Sequence, residues 1–222
     1  MAFLFLIACL IIRIIAIGLL LRNRKTFGIQ IWPLVIFNSA SLVSDVLGSA
    51  MCFLQVNNSF VINIYTVFEL LFVTFYSLRL VQLNRYITLT SKILSVLISI
   101  ILCIEIIFYK TNILTEAISG YAIILQSLII LICCLSMIAQ LKPNKTSMPL
   151  ELIVLFGLFI YSCLCILPTI AYILYFDCNN HYTFSLFTYT FIGIGNLIRD
   201  FCFGLFGVLL YRNNRKASDP QD

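Results

Sequence analysis

Charge is what this sequence has least of. Only 10% of its 222 residues are Asp, Glu, Lys or Arg, against roughly 25% in soluble domains, and mean hydropathy is +1.07. That scarcity excludes a soluble enzyme and a disordered chain, because neither can cover its surface with so few polar groups. Histidine is almost missing as well: His181 stands alone, near Asp177 and Asn180, and no His-Glu-x-x-His helix exists to hold zinc. The nine cysteines form no metal-binding motif. Cys163-x-Cys165 is too short for zinc-knuckle spacing, so neither a metal nor a cofactor is expected. Most cysteines fall inside apolar runs (Cys9, Cys103, Cys133, Cys134, Cys163, Cys165 and Cys202), where they read as small packing residues. Cys52 and Cys178 both fall near one predicted face, where an oxidising compartment would allow a disulfide. The net charge of +5 comes without any basic-aromatic RNA-binding motif, so nucleic acid is not an expected partner.

What is present is apolar length. A bilayer core about 30 Å thick takes about 20 helical residues to cross. Seven stretches satisfy this: Phe3–Leu21, Ile29–Gln55, Phe60–Val81, Ile93–Tyr109, Ala117–Leu141, Leu152–Phe176 and Thr183–Tyr211. The expected fold is therefore all-α, a polytopic bundle of seven transmembrane helices filling residues 1–211, with membrane lipids as its surroundings. Residues 212–222 read as a short polar tail. Eleven basic residues flank these stretches on one side: Arg22, Arg24, Lys25, Arg79, Arg85, Lys92, Lys142, Lys145, Arg212, Arg215 and Lys216. Only Lys110 flanks them on the other. The positive-inside rule then predicts an N-out/C-in protein of a cell membrane. A cleaved signal peptide fits residues 1–25 poorly, since no positive charge precedes the apolar run and Arg13 interrupts it. Trp32 and Tyr211 on the inner side, and Tyr109, Tyr175 and Tyr182 on the outer, suit the interfacial belts.

Six ionisable residues fall within the apolar stretches: Arg13, Asp45, Glu69, Glu105, Arg199 and Asp200. A charge at the centre of a membrane helix costs at least about 2.5–3.5 kcal/mol, so such residues face the bundle interior and often mark function. Glu105 is about one turn from Tyr109, close enough to the interface to snorkel. Along the second stretch Asn38, Ser41, Asp45, Gly48 and Cys52 recur at three- and four-residue steps, forming a small, polar stripe. The seventh carries a similar stripe of Gly193, Asn196, Asp200, Gly204 and Gly207. Two readings follow. One is a buried ion-pair network of Arg13, Asp45, Glu69, Arg199 and Asp200 that locks the helices together. The other is a polar pocket lined by Asn38, Asp45, Tyr65, Glu69, Tyr76, Asn196 and Arg199, able to hold a headgroup or small ligand or to relay a proton. Adjacent helix positions diverge by about 100°, so Arg199 and Asp200 are not expected to form one compact pair. Pro168 is expected to kink the sixth helix near Leu164.

Seven spans invite comparison with receptors. The seventh stretch holds no lysine for retinal, and it lacks the Asn-Pro-x-x-Tyr of animal receptors. The segment Val61-Ile-Asn-Ile-Tyr-Thr-Val-Phe-Glu-Leu-Leu-Phe-Val-Thr-Phe-Tyr76 is more informative when taken with Leu42-Val-Ser-Asp45 and Asn196-Leu-Ile-Arg-Asp200. Together these resemble a group of small bacterial seven-span proteins that pair an Ile-Tyr-Thr-x-x-Glu third span with a final amphipathic polar helix. That group usually has Glu where this chain has Asp45. The resemblance implies the architecture, a bacterial inner membrane and a role beside a membrane or signalling partner. Ser44-Asp45-Val-Leu is more faintly similar to lysoplasmalogenase-like membrane hydrolases; an enzyme of this chain would use Asp45 and Glu69 as acid and base. Those proteins have eight spans, one more than this chain offers. The expected function is a non-enzymatic ligand- or lipid-responsive membrane module. A lipid hydrolase and a small-solute or proton transporter stand as alternatives.

Overall fold

The computed structural model describes the backbone of residues 2–22, 31–54, 59–81, 83–108, 112–140, 150–175 and 181–218. Side chains are described for 7–22, 31–51, 53–54, 60–61, 63–81, 83–104, 106–107, 121–140, 150–166 and 190–212. Among the described residues there are seven α-helices: α1 (Ala2–Arg22), α2 (Trp32–Phe53), α3 (Ser59–Leu80), α4 (Arg85–Phe108), α5 (Asn112–Ala139), α6 (Glu151–Tyr175) and α7 (His181–Ser218). Long apolar runs adopt helices because hydrocarbon offers no partner to a peptide group, and a helix satisfies those groups internally. Among the described residues four windows are long and apolar enough to cross a membrane, by length and composition: Trp32–Met51 in α2, Arg85–Ile104 in α4, Tyr121–Ala139 in α5 and Thr190–Arg212 in α7. The chain is an all-helical membrane protein.

Local chemistry sets several helix starts. Pro33 occupies the first turn of α2, where its missing N–H breaks no hydrogen bond. Asn84 caps α4: its Oδ1 accepts from the Tyr86 backbone N–H at 3.0 Å. Glu151 lies in the first turn of α6, beside the positive end of the helix dipole.

Six helices close a ring in the order α1, α2, α3, α5, α6, α7 and back to α1, while α4 packs outside against α3 and α5. Helix α4 shows which solvent the molecule is built for. Its buried face is polar, with Ser91, Ser95 and Ser99, whereas Ile93, Leu97, Ile100, Ile101 and Ile104 are exposed. That is the reverse of a surface helix in water. Ser95 is tied to Thr74 of α3 by a 2.8 Å hydrogen bond between hydroxyls, and Leu102 packs with Leu70 and Ala122.

Close backbone approach fixes α7 between its neighbours. A Cβ on Gly157 of α6 would lie 2.6 Å from Cys202 Cβ, and one on Gly207 would lie 3.3 Å from the Leu19 backbone. Small residues at helix contacts replace the hydrophobic drive that lipid removes, because dispersion then acts over a longer shared surface. Arg22 at the end of α1 stacks over Tyr211 of α7, 4.2 Å from the ring centroid, and donates to its hydroxyl at 3.1 Å. Those ends of α1 and α7 therefore lie together.

The main apolar core fills the half of the ring toward that end. It includes Leu20 of α1, Leu34 and Phe37 of α2, Val73 and Tyr76 of α3, Ile130 and Cys133 of α5, Leu155 and Leu158 of α6, and Phe203 and Phe206 of α7. Among the described residues the buried members of this core end near the helix midpoints, where polar side chains join them.

Candidate functional site: a polar belt across the ring

Every ring helix supplies a polar side chain within about three residues of its own midpoint: Arg13 from α1, Ser41 and Asp45 from α2, Glu69 from α3, Gln126 from α5, Tyr161 and Ser162 from α6, and Arg199 and Asp200 from α7. They form one connected layer. Arg13 donates through Nη1 to Asp45 Oδ2 at 2.5 Å and through Nε to Asp200 Oδ2 at 2.8 Å. Arg199 donates to Asp200 Oδ1 through Nε at 3.1 Å and Nη2 at 3.0 Å, and through Nη2 to Ser41 Oγ at 3.1 Å. One carboxylate thus holds two guanidinium groups. Arg199 also lies over the rings of Tyr161, at 4.6 Å, and Phe37, at 5.2 Å. Beyond Tyr161 the layer continues: its hydroxyl donates to Glu69 Oε2 at 3.2 Å, and Gln126 Nε2 donates to Glu69 Oε1 at 3.4 Å and Ser162 Oγ at 3.1 Å.

Charge is balanced in the ion-paired part, with two arginines against two aspartates. Balance is necessary because an unpaired ion at this depth carries a desolvation cost that no water shell repays. Asp45 is the part-exposed end of the network. Its side chain is 28% exposed, while those of both arginines and of Asp200 have no exposure at all.

The expectation that Arg199 and Asp200 could not pair is overturned. The 100° divergence holds for the Cα–Cβ vectors, but the long Arg199 side chain folds back along α7 until its guanidinium meets the neighbouring carboxylate. Glu69 also differs from the expected network. Among the described residues its partners are Gln126 and Tyr161, and it makes no ion pair. Asp45 and Glu69 consequently share no hydrogen-bond partner among the described residues.

The expected pocket residues divide. Asn38, Tyr65 and Asn196 flank Arg199: Asn38 lies one turn from Ser41 on α2, and Asn196 lies one turn from Arg199 on α7. The Tyr65 ring packs 6.4 Å from Phe37. Tyr76 is two turns from Glu69 and belongs to the apolar core, stacked 5.3 Å from Phe72. It is not part of the belt. The side chains of Glu105, Pro168, Cys52, Cys178 and His181 lie outside the described residues.

Several buried polar atoms around the arginines have no hydrogen-bond partner among the described residues: both amide atoms of Asn38, Tyr65 OH, Asn196 Oδ1, Arg13 Nη2 and Arg199 Nη1. Unpaired buried groups cost about 1–3 kcal/mol each, and native interiors contain few of them. Six of the eight such atoms among the described residues belong to this set; the other two are the hydroxyls of Ser77 on α3 and Ser99 on α4. No group of three or more His, Cys, Asp or Glu able to hold a metal occurs among the described residues.

Gln126, Tyr161 and Ser162 are belt members that a search for ionisable groups alone passes over. Gln126 does leave a signal, since it interrupts the apolar run Ile123-Ile-Leu-Gln-Ser-Leu-Ile-Ile130. No protein-family model, curated protein or solved structure matches this chain.

Proposed function

We infer that the protein is a non-enzymatic, ligand- or lipid-responsive module, built as seven spans with the N-terminus out and the C-terminus in and seated in a bacterial inner membrane. The observation that carries this reading is the belt: a continuous polar layer through all six ring helices, with unpartnered donors and acceptors grouped around Arg13 and Arg199. Such a layer couples any change at α2 to α1 and α7 through two guanidinium groups. Asp45 pairs with Arg13 while Glu69 is held by Gln126 and Tyr161, which supports a responsive module over an acid–base pair sharing one hydrogen-bond network. The eleven basic flanking residues support the orientation, as does the contact of Arg22 with Tyr211, which joins two of the basic ends.

The test is hydrogen–deuterium exchange on the protein in lipid nanodiscs, with uncharged, anionic and cationic amphiphiles added in turn. At least one is expected to change protection in α2 and α7, and Asp45→Asn is expected to blunt the change. A response to none of them refutes the reading. Lysolipid hydrolysis by the wild type that Asp45→Asn abolishes would replace it with the enzyme. Reporter fusions at Asn58 and Asn144 are expected on opposite sides of the membrane, and the same side for both rejects the orientation.

A further inference from the structure

We propose that the unpartnered groups around Arg13 and Arg199 bind the uncharged head of a membrane-dissolved amphiphile, recognised through a hydroxyl and a carbonyl, and that α2 moves aside to admit it. This rests on the responsive-module reading and names its ligand class.

Asn38 has no exposure and no partner among the described residues for either amide atom. It lies on the α2 face that carries Ser41, the acceptor for Arg199. Tyr65 of α3 lies near enough to act electrostatically on the same guanidinium, and Asn196 lies one turn before Arg199 on α7. The free atoms include donors (Arg13 Nη2, Arg199 Nη1, Asn38 Nδ2) and acceptors (Asn38 Oδ1, Asn196 Oδ1), with Tyr65 OH able to act as either. A head with a carbonyl to accept and a hydroxyl to donate satisfies both kinds.

Charge bookkeeping decides the class. Asp45 and Asp200 already neutralise Arg13 and Arg199. An anion or a cation entering this layer would leave one charge uncompensated where the dielectric is low. An uncharged head leaves the balance intact.

The route follows from how α2 is held. In the closed arrangement the free atoms have essentially no accessible surface, so a ligand reaches them only when a wall shifts. The polar stripe of α2 is secured by side chains reaching across from other helices, Arg13 to Asp45 and Arg199 to Ser41. Asp45 is part-exposed, and Val43, Val46 and Leu47 beside it are exposed and apolar, so this wall faces hydrocarbon. An amphiphile already in the bilayer arrives at that face head and tail together.

The experiment uses the full chain in nanodiscs with a 1-monoacylglycerol carrying a diazirine and an alkyne in its acyl chain. Competitors are unlabelled monoacylglycerol, lysophosphatidic acid and an alkylamine of equal chain length. Photolabelling is expected in α2, α3 or α7, with monoacylglycerol competing at least about tenfold better than either charged analogue. Tyr65→Phe is expected to weaken competition about five- to tenfold with little change in the melting temperature, because its hydroxyl lies beside Ser41 Oγ, which still accepts from Arg199 in the variant. Asn196→Ala is expected to behave alike. Equal competition by the charged analogues, labelling indifferent to both variants, or occupancy by water alone overturns this assignment while leaving the responsive-module reading in place. If exchange in α2 and α7 also responds to no amphiphile of any charge, that reading falls with it.

Discussion

Asp200 is the residue whose loss the structure ranks highest. Its Oδ2 accepts from Arg13, and its Oδ1 accepts twice from Arg199, with no part of the side chain exposed. Asp200→Asn keeps the shape but removes the charge, and turns an amide N–H₂ toward donors. Two guanidinium groups then share Asp45 alone, leaving one positive charge uncompensated at mid-helix. Breaking a buried pair from one side costs about 3–5 kcal/mol. Asp45→Asn breaks only the Arg13 Nη1 contact, at a position 28% exposed, and leaves Arg13 paired with Asp200. Its expected cost is smaller, about 1–2 kcal/mol, since partial exposure screens the pair. The difference of about 2 kcal/mol or more corresponds to roughly a 30-fold ratio of unfolding constants. Titration with sodium dodecyl sulfate in mixed micelles, followed by far-ultraviolet circular dichroism and by emission from Trp32, measures both variants on one scale. The paired replacement Arg13→Met with Asp45→Leu leaves Arg199 with Asp200 and is expected to cost less than Asp200→Asn alone. If Asp45→Asn destabilises as much as Asp200→Asn, or Asp200→Asn falls within about 0.5 kcal/mol of the wild type, the two-arginine geometry is wrong.

Gly157→Ala is expected to cost about 1–3 kcal/mol, because the new methyl meets Cys202 Cβ at 2.6 Å. Adding Cys202→Gly should restore much of the loss where Cys202→Ala should not, read by the same titration. Gly18→Ala is the control: nothing lies within 4 Å of the added carbon, so stability should hold or rise by up to about 1 kcal/mol from helix propensity. Ser95→Ala removes the hydroxyl that meets Thr74 and is expected to cost about 0.6 kcal/mol, with faster exchange in α4. Ser99→Ala, which deletes a hydroxyl with no partner among the described residues, should be neutral or stabilising.

Much of the architecture is legible in the chain because lipid simplifies the problem. The seven apolar stretches match the seven helices to within several residues at most ends. The largest departures are at the start of α4, which begins at Arg85 where the stretch begins at Ile93, and at the end of α7, which runs past Tyr211 to Ser218. A helix is an internal hydrogen-bond problem, so polar residues such as Thr88, Thr90 and Ser91 extend it where apolarity alone would stop. Of the candidate site, Arg13, Asp45, Arg199 and Asp200 stand out as charges in apolar runs. Ser162 and the serines of α4 do not, and Gln126 does so only by interrupting an apolar run, because a neutral polar residue is cheap enough in a membrane helix to look unremarkable.

Composition and spacing alone determine the solvent, the number of helices and the position of each polar group along and around its own helix. A rise of 1.5 Å and a turn of 3.6 residues fix those coordinates locally. Which groups meet is a different quantity, because it depends on how far each helix rotates and slides against its neighbours. Tertiary packing settled that through close contacts such as Gly157 with Cys202 and Gly207 with Leu19. Only then did Asp200 acquire both arginines, Glu69 fall to Gln126 and Tyr161, and α4 take its place outside the ring. Long side chains widen the gap between the two levels: the Arg199 guanidinium ends beside the one carboxylate that helix geometry had turned away from it.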